Sequence, residues 1–330
     1  MILDSAVDVW HGRRVLITGA TGFIGSLLTQ RLAEAGAVLC VGVFPGEPPA
    51  RVAALPRQAI RLPLDIQDAA SVLQVVAEAA PEVVFHLAAV GVSDRNVDPA
   101  LALAVNTAGA VHLLEALRQA ANTSAALKRV VLVGTCYEYG ESEPRDDGAN
   151  GVTCRPYDPF DFYAASKLAA WAFGRAYWRL CGLPVVTARL SQVYGPGQPA
   201  HALVPAAIGA ALAGRDFPMT PGEQQRDFIY VADVVEGLLA AGRAPGIDGQ
   251  SLDLGSGVAR PLRQVVEQVW ALAGGSGRVL AGALPYRRGE ARLLVADTAH
   301  TARLTGWTAE TDLETGLRQT IHAYATLAAQ

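Results

Sequence analysis

Lysine is nearly missing from this sequence: of 27 basic residues in 330, only Lys128 and Lys167 are lysine, so arginine carries the positive surface charge. Four cysteines, Cys40, Cys136, Cys154 and Cys181, lie scattered without zinc-ligand spacing or the density of a disulfide framework. Both devices are thereby excluded as organisers of the fold. No uninterrupted apolar run approaches the ~20 residues of a membrane helix, and residues 1–14 lack a basic start followed by an apolar core. A basic excess is lacking too. The net charge of −4 leaves no electrostatic footprint for nucleic acid or an anionic membrane. A soluble cytoplasmic protein is expected. Hydrophobic residues make up 51% of the chain, which supports one large domain with a smaller lobe.

What the sequence does have is concentrated at residues 15–25, VLITGATGFIG. Four apolar or β-branched residues run into Gly19, Gly22 and Gly25, with Thr21, Phe23 and Ile24 between them. Ile24, Leu27, Leu28, Leu32 and Ala35 then recur with helical period. The pattern predicts a buried strand, a tight turn and an amphipathic helix. Gly19 would permit a reversal that no Cβ tolerates, Gly22 would let a phosphate approach the backbone, and Gly25 would let helix and strand pack closely. The helix N-terminus adds open N–H groups and a positive dipole end. Taken alone, the stretch is also compatible with an ordinary βα turn.

Further buried strands are predicted at 37–43, 59–64, 83–87, 129–133 and 183–190, alternating with helices at 99–121 and from 161 onward. That alternation implies a parallel, doubly wound sheet with right-handed crossovers. The second strand ends Val43-Phe44-Pro45-Gly46, without the acid that would bond adenosine ribose hydroxyls. Arg51 and Arg57 follow, suited to a 2′-phosphate or to plain solvation, so the reading leans toward NADP. Asp65 either bonds an adenine amino group or caps a helix beginning near Gln67. Ala88 and Ala89 are small enough for a flat cofactor to lie against backbone, and Asn106 interrupts an otherwise apolar helix. Residues 141–151 read as a surface loop, 227–231 and 251–254 as short strands, and 261–273 and 312–327 as helices.

Tyr163 and Lys167 lie four apart on one helical face. With nine tyrosines and two lysines, chance supplies only ~0.05 such pairs. A snorkelling lysine beside a packed tyrosine is the bland alternative. A chain that otherwise uses arginine weakens it, because arginine would serve equally well on a surface.

These segments together resemble the extended short-chain dehydrogenase/reductase family, in its nucleotide-sugar epimerase, dehydratase and reductase branch. The resemblance runs from Val15 to about Tyr324, through 18–25, 65–66, 86–89, Asn106, 135–140, 163–167, 194–198, 226–233 and 254–257. It implies an NAD(P)-binding Rossmann domain over 1–190, also receiving 226–254. A smaller interleaved α/β lobe of 191–225 and 255–330 would bind a nucleotide-diphosphate sugar. It assigns Gly19, Thr21, Gly22, Phe23, Ile24, Gly25, Asp65, Ile66, Leu87, Ala88, Ala89 and Asn106 to the cofactor, with Tyr163 and Lys167. In catalysis Tyr163 would shuttle the proton, Lys167 would tune it, and Thr135 would anchor the sugar oxygen. A phenol near pKa 10 is a poor base at neutral pH, and a nearby ammonium stabilises its phenolate.

The resemblance also places Cys136, Tyr137, Gln192, Arg226 and Arg287 on the substrate, the two arginines clasping the diphosphate. The dehydratases of this branch carry an acid pair, Asp then Glu, where this chain has Cys136 and Tyr137. A thiol and a phenol are poorly matched to eliminating water, and Glu138 stands one position late. Gln192 replaces an asparagine. His201 either contacts substrate or is incidental, and Cys136 is either a site residue or a small buried one. The expected activity is reduction of an NDP-4-keto-6-deoxyhexose, with a 4-epimerase holding NAD tightly as the alternative. A dehydratase, and then a non-catalytic dinucleotide sensor, come behind. A homodimer is expected through a four-helix bundle of 99–121 and 161–181, where Leu168, Trp171, Ala172, Tyr177 and Trp178 exceed the bulk of one buried stripe.

Overall fold

The computed structural model describes residues 9–92, 96–121, 127–140, 142–144, 152–154, 157–286 and 289–328. Two compact units emerge, one of Met1–Thr135, Asp161–Arg189 and Leu238–Leu252, the other of Cys136–Phe160, Leu190–Gly237 and Asp253–Gln330. The segment 226–254 is thus divided between them.

The first unit is built on the strands β1 (Arg14–Thr18), β2 (Val38–Val43), β3 (Ile60–Pro63), β4 (Val83–His86), β5 (Arg129–Thr135) and β6 (Val185–Leu190). With β7 (Ser251–Leu254) they form one seven-stranded parallel sheet, ordered β7-β6-β5-β4-β1-β2-β3. Parallel strands are covered on both faces, which is why β1, β4 and β6 read as near-continuous apolar runs instead of alternating. The order reverses between β1 and β4, and a sheet of this kind takes its ligand at the carboxyl ends flanking that reversal. The expected α/β, Rossmann-type doubly wound sheet is the observed fold.

Among the described residues this unit carries the helices α1 (Phe23–Glu34), α2 (Pro49–Ala53), α3 (Ala69–Ala79), α4 (Pro99–Ala121) and α5 (Phe162–Cys181), and the last turns of the helix Val231–Arg243. Helix α3 starts after Asp68, whose carboxylate accepts from the Ala70 N–H at 2.9 Å. Helix α4 is not uniform: Leu103–Ala108 forms a π-helical turn between two α-helical stretches. Among the described residues α4 is the one helix long and apolar enough to cross a membrane. Just over half of its most apolar window, 56%, is buried within the protein, and Leu113, Leu114 and Leu117 sit in the core.

The second unit holds a four-stranded sheet of Gln192–Tyr194, Gln225–Tyr230, Ala259–Pro261 and Leu293–Leu294. Its helices Leu203–Leu212, Leu262–Ala273 and Leu313–Ala328 pack on one another. At its centre the buried Asp227 accepts from Ser256 N–H, Ser256 Oγ–H, Gly257 N–H and Ala296 N–H at 2.6–3.2 Å. Burial pushes the Asp227 carboxyl above the usual range, against the pull of those donors. A Cβ on Gly255 would collide with the same carboxylate. Within the expected loop at 141–151, Ser142–Pro144 pairs antiparallel with Val152–Cys154 just beyond it; the loop's other residues lie outside the described ones.

Candidate active site

The glycine loop follows β1 directly. Gly19 has φ +73°, and a Cβ there would lie 2.6 Å from Ala88 N and 2.8 Å from Leu87 C. The loop therefore rests against the exit of β4, bringing Gly19 together with Leu87 and Ala88. A Cβ on Gly25 would run into the Gly19 carbonyl, so α1 packs on the turn only because that atom is absent. Gly22 is the N-cap of α1 in extended conformation, and no side chain caps the first-turn amides. An uncapped helix N-terminus behind a glycine-rich loop fits the diphosphate of a dinucleotide.

Thr18, at the end of β1, shares a 2.7 Å hydrogen bond with His86 Nδ1 and also accepts from Ala88 N–H at 3.3 Å. His86 is fully buried; burial first, and then the charge of Lys167, hold its imidazole down to about 3. The folded protein refuses a proton that the unfolded chain accepts near pH 6.5. Stability should therefore fall on acidification from about 6.5 toward 3, by about 1.4 kcal/mol per pH unit from this residue. Urea unfolding between pH 4 and 7 should give His86→Asn a slope shallower by about that amount, and equal slopes would refute the assignment.

Thr135 ends β5, two residues beyond the expected strand, and is buried. Tyr163 and Lys167 are buried one turn apart on α5, whose N-cap Asp161 accepts from Ala164 N–H at 2.8 Å. Between them Ser166 donates to the Tyr163 carbonyl at 2.7 Å and accepts from Asn106 Nδ2 at 2.9 Å. Asn106 also bonds Val90 through both its amide oxygen and nitrogen, and Thr107 donates to the Ser166 carbonyl. Asn106, expected on the cofactor, clamps the β4 exit to α5. Its π turn permits that reach, a common association of π-bulges with functional sites.

Other assignments fall differently. Asp65 accepts from Gln67 N–H at 2.9 Å in a local turn, and Asp68 is the cap of the next helix. Ile66 is buried in the core, against the face of α4 that carries Gly109. Thr21, Phe23, Ile24 and Ala89 are half-buried at the loop and the β4 exit. Past Thr135 the chain tightens into a 3₁₀ turn, Cys136–Glu138, so the alternation of a strand does not continue. Cys136 and Tyr137 are half-buried and Glu138 fully so. The Tyr137 hydroxyl donates to Gln192 Oε1 at 3.1 Å, uniting two expected substrate residues within the second unit. Arg226, expected on a diphosphate, lies in the second unit. It is buried, and its terminal nitrogens donate to the Gln225 and Ala291 carbonyls at 2.8 and 2.9 Å, with Glu290 at 3.7 Å. Arg287 lies outside the described residues, and His201 is exposed. No three His, Cys, Asp or Glu cluster for a metal among the described residues.

Sequence reasoning passed over Glu47. The Glu47 N–H bonds the Phe44 carbonyl at 2.9 Å, folding the chain back at the end of β2. Its carboxylate meets Arg51 at 3.3 Å, with the glutamate side chain 16% exposed and the arginine 62%. The signal was the Phe-Pro-Gly-Glu stretch, a turn composition that returns its fourth residue to the strand end. Arg57 is simply exposed.

The model of the NAD dependent epimerase/dehydratase family matches residues 15–255. Over 94% of this chain and 95% of its own length, a dTDP-glucose 4,6-dehydratase of Neisseria gonorrhoeae is 30% identical. A UDP-glucose 4-epimerase of Mycolicibacterium smegmatis is 31% identical over 94% of this chain and 98% of its own. Among solved structures, UDP-glucose 4-epimerase of Thermus thermophilus in complex with NAD superposes with TM-score 0.80 at 26% identity, covering 94% and 99% of the two chains.

Proposed function

We propose a function from the premise that this chain belongs to the NAD dependent epimerase/dehydratase family: it moves a hydride at C4 of the sugar of a nucleotide-diphosphate sugar. The observation that carries this reading is the buried Tyr163–Lys167 pair, fixed through Ser166 and Asn106 in the unit that also holds the glycine cradle and Thr135. The nicotinamide supplies the hydride acceptor and donor when bound. Tyr163 takes the proton from the sugar O4 hydroxyl as the carbonyl forms and returns it on reduction. The Lys167 ammonium favours the phenolate that this requires. Thr135 donates a hydrogen bond that holds the same oxygen. Burial of all three keeps water from competing.

Two forms of this reaction use these residues alike. Reduction of a 4-keto sugar with NADPH, the sequence expectation, draws support from Cys136 and Tyr137 standing where acids would eliminate water. Tyr137 engaged with Gln192 is further from a leaving-group acid still. The 4-epimerase reading draws support from Glu47, since a carboxylate at the end of β2 suits a retained NAD. Mass spectrometry of nucleotide released from the purified, denatured protein separates them. Stoichiometric NAD means a closed hydride cycle, epimerisation or a dehydration with unusual acids; an empty site preferring NADPH to NADH means reduction. Binding of neither would overturn the proposal and leave another ligand for the fold.

A homodimer through α4 and α5 is part of the proposal, with a changed surface. Trp171 donates to Ser251 Oγ, Tyr177 to Glu115, and Trp178 lies against Gly249 under the Arg175 guanidinium. The large exposed side chains are instead Leu101, Leu103, Phe162, Phe173 and Leu180. Phe173→Glu should sediment as a monomer; an unchanged dimer would remove this face from the interface. A cytoplasmic location is part of the proposal, as the Cys40 and Cys181 side chains are thiols.

A further inference from the structure

We propose that Tyr137 is a positioning residue: its hydroxyl fixes the Gln192 carboxamide, so that the amide nitrogen is presented to an acceptor oxygen of the substrate. The inference rests on the nucleotide-sugar reading and adds a residue to that site. Tyr137 and Gln192 both belong to the second unit. Gln192 opens the strand Gln192–Tyr194, which pairs in parallel with Gln225–Tyr230 and sets Gln192 opposite Phe228. That ladder holds the backbone and leaves the side chain to find its own partners. Tyr137 is the middle residue of the 3₁₀ turn Cys136–Glu138. The chain beyond it is anchored: Glu138 is fully buried, and the Tyr139 hydroxyl donates to Asp253 Oδ1 at 3.0 Å. The Tyr137 ring is thus placed by its neighbours in sequence.

The hydroxyl of Tyr137 donates to Gln192 Oε1 at 3.1 Å. A carboxamide offers one accepting oxygen and one nitrogen with two protons to give. The oxygen is taken, and the nitrogen donates to no group among the described residues. Gln192 is half-buried, so a ligand can still reach its side chain. A glutamine gives up much rotamer freedom when it is immobilised by a ligand. A phenol on an anchored turn removes that freedom beforehand, and binding no longer has to. The polarity is fixed as well. An amide held through its oxygen can only donate, so the ligand atom it meets must accept: a phosphoryl oxygen or a sugar oxygen.

The test uses the full chain, saturated with NAD or NADP, whichever binds more tightly. UDP-glucose, dTDP-glucose and GDP-mannose are titrated calorimetrically, and urea midpoints check that each variant is folded. Tyr137→Phe should weaken the best-bound sugar nucleotide about fivefold at an unchanged urea midpoint, the scale of immobilising one flexible side chain. The near-isosteric Gln192→Glu still accepts from the phenol but has no N–H to give, and should weaken binding at least about tenfold. In a Gln192→Leu background Tyr137→Phe should cost less than about twofold more, because the phenol acts through the amide. Titration of UDP, dTDP and GDP supports the proposal in either of two ways. A Tyr137→Phe loss that persists without the sugar assigns the acceptor to the diphosphate, and a loss confined to the sugar nucleotides assigns it to the sugar. Wild-type affinity in Tyr137→Phe or in Gln192→Glu, or a Tyr137→Phe loss of full size in the Gln192→Leu background, overturns the proposal. Failure of wild type to bind any of the three sugar nucleotides overturns the nucleotide-sugar reading itself and this inference with it.

Discussion

Tyr163→Phe is expected to lower kcat about a thousandfold, within the range by which a positioned proton-transfer group accelerates a reaction. The substitution removes one hydroxyl and little else. The Tyr163 ring packs with Val97 and Ala102, and those contacts persist in phenylalanine, so stability and cofactor affinity should stay close to wild type. The comparison that matters is kcat against KM. If Tyr163 acts only as the proton shuttle, KM for the nucleotide sugar holds while kcat falls. A loss below tenfold with unchanged nucleotide binding would mean that another group moves the proton, and the role would have to be taken from Tyr163. Lys167→Met should follow the same pattern and, in addition, weaken nicotinamide binding, because the ammonium would serve both partners.

The second large effect concerns two glycines three residues apart that respond differently. Gly25→Ala should cost about 3 kcal/mol or more in urea unfolding, since the added carbon meets only backbone. The Gly19 carbonyl cannot yield without moving the loop that Gly19 forms at φ +73° against Leu87 and Ala88. Gly22→Ala meets nothing nearer than the Gly19 carbonyl at 3.3 Å, and its extended backbone accepts any residue. It should stay within about 1 kcal/mol of wild type, as Gly-to-Ala changes at an N-cap do. Its effect belongs to binding: the methyl would stand where the diphosphate approaches, and NADH affinity should drop at least about tenfold. Equal stability losses in both variants would refute the division of labour within the loop.

Much of the fold was legible. The strands of the first unit are buried on both faces, so each announces itself as a short apolar run whatever its neighbours. The glycine loop was legible because a backbone reversal and a close helix–strand approach each demand the absence of a Cβ at one position. The Tyr163–Lys167 pair was legible because helical spacing alone sets which residues share a face. These are local constraints, written in consecutive residues.

The tertiary structure decided the partners. The amide of Asn106 is held by Val90 and Ser166, 16 and 60 residues away. The Arg226 guanidinium closes on the Ala291 carbonyl 65 residues on. The aromatic bulk of α5 suggested an outward face, whereas Trp171 and Trp178 pack on Ser251 and Gly249 and leave Phe173 exposed. Strand β2 lacked an acid in sequence, and a four-residue turn brought Glu47 back to its end. The sequence by itself determined the sheet, the glycine turn and the pairing of Tyr163 with Lys167 on one helical face, because period and missing side chains act over a few residues. Which polar groups remain open for ligand was decided only on folding, because a buried donor or acceptor must find a partner and the chain supplies it from any distance.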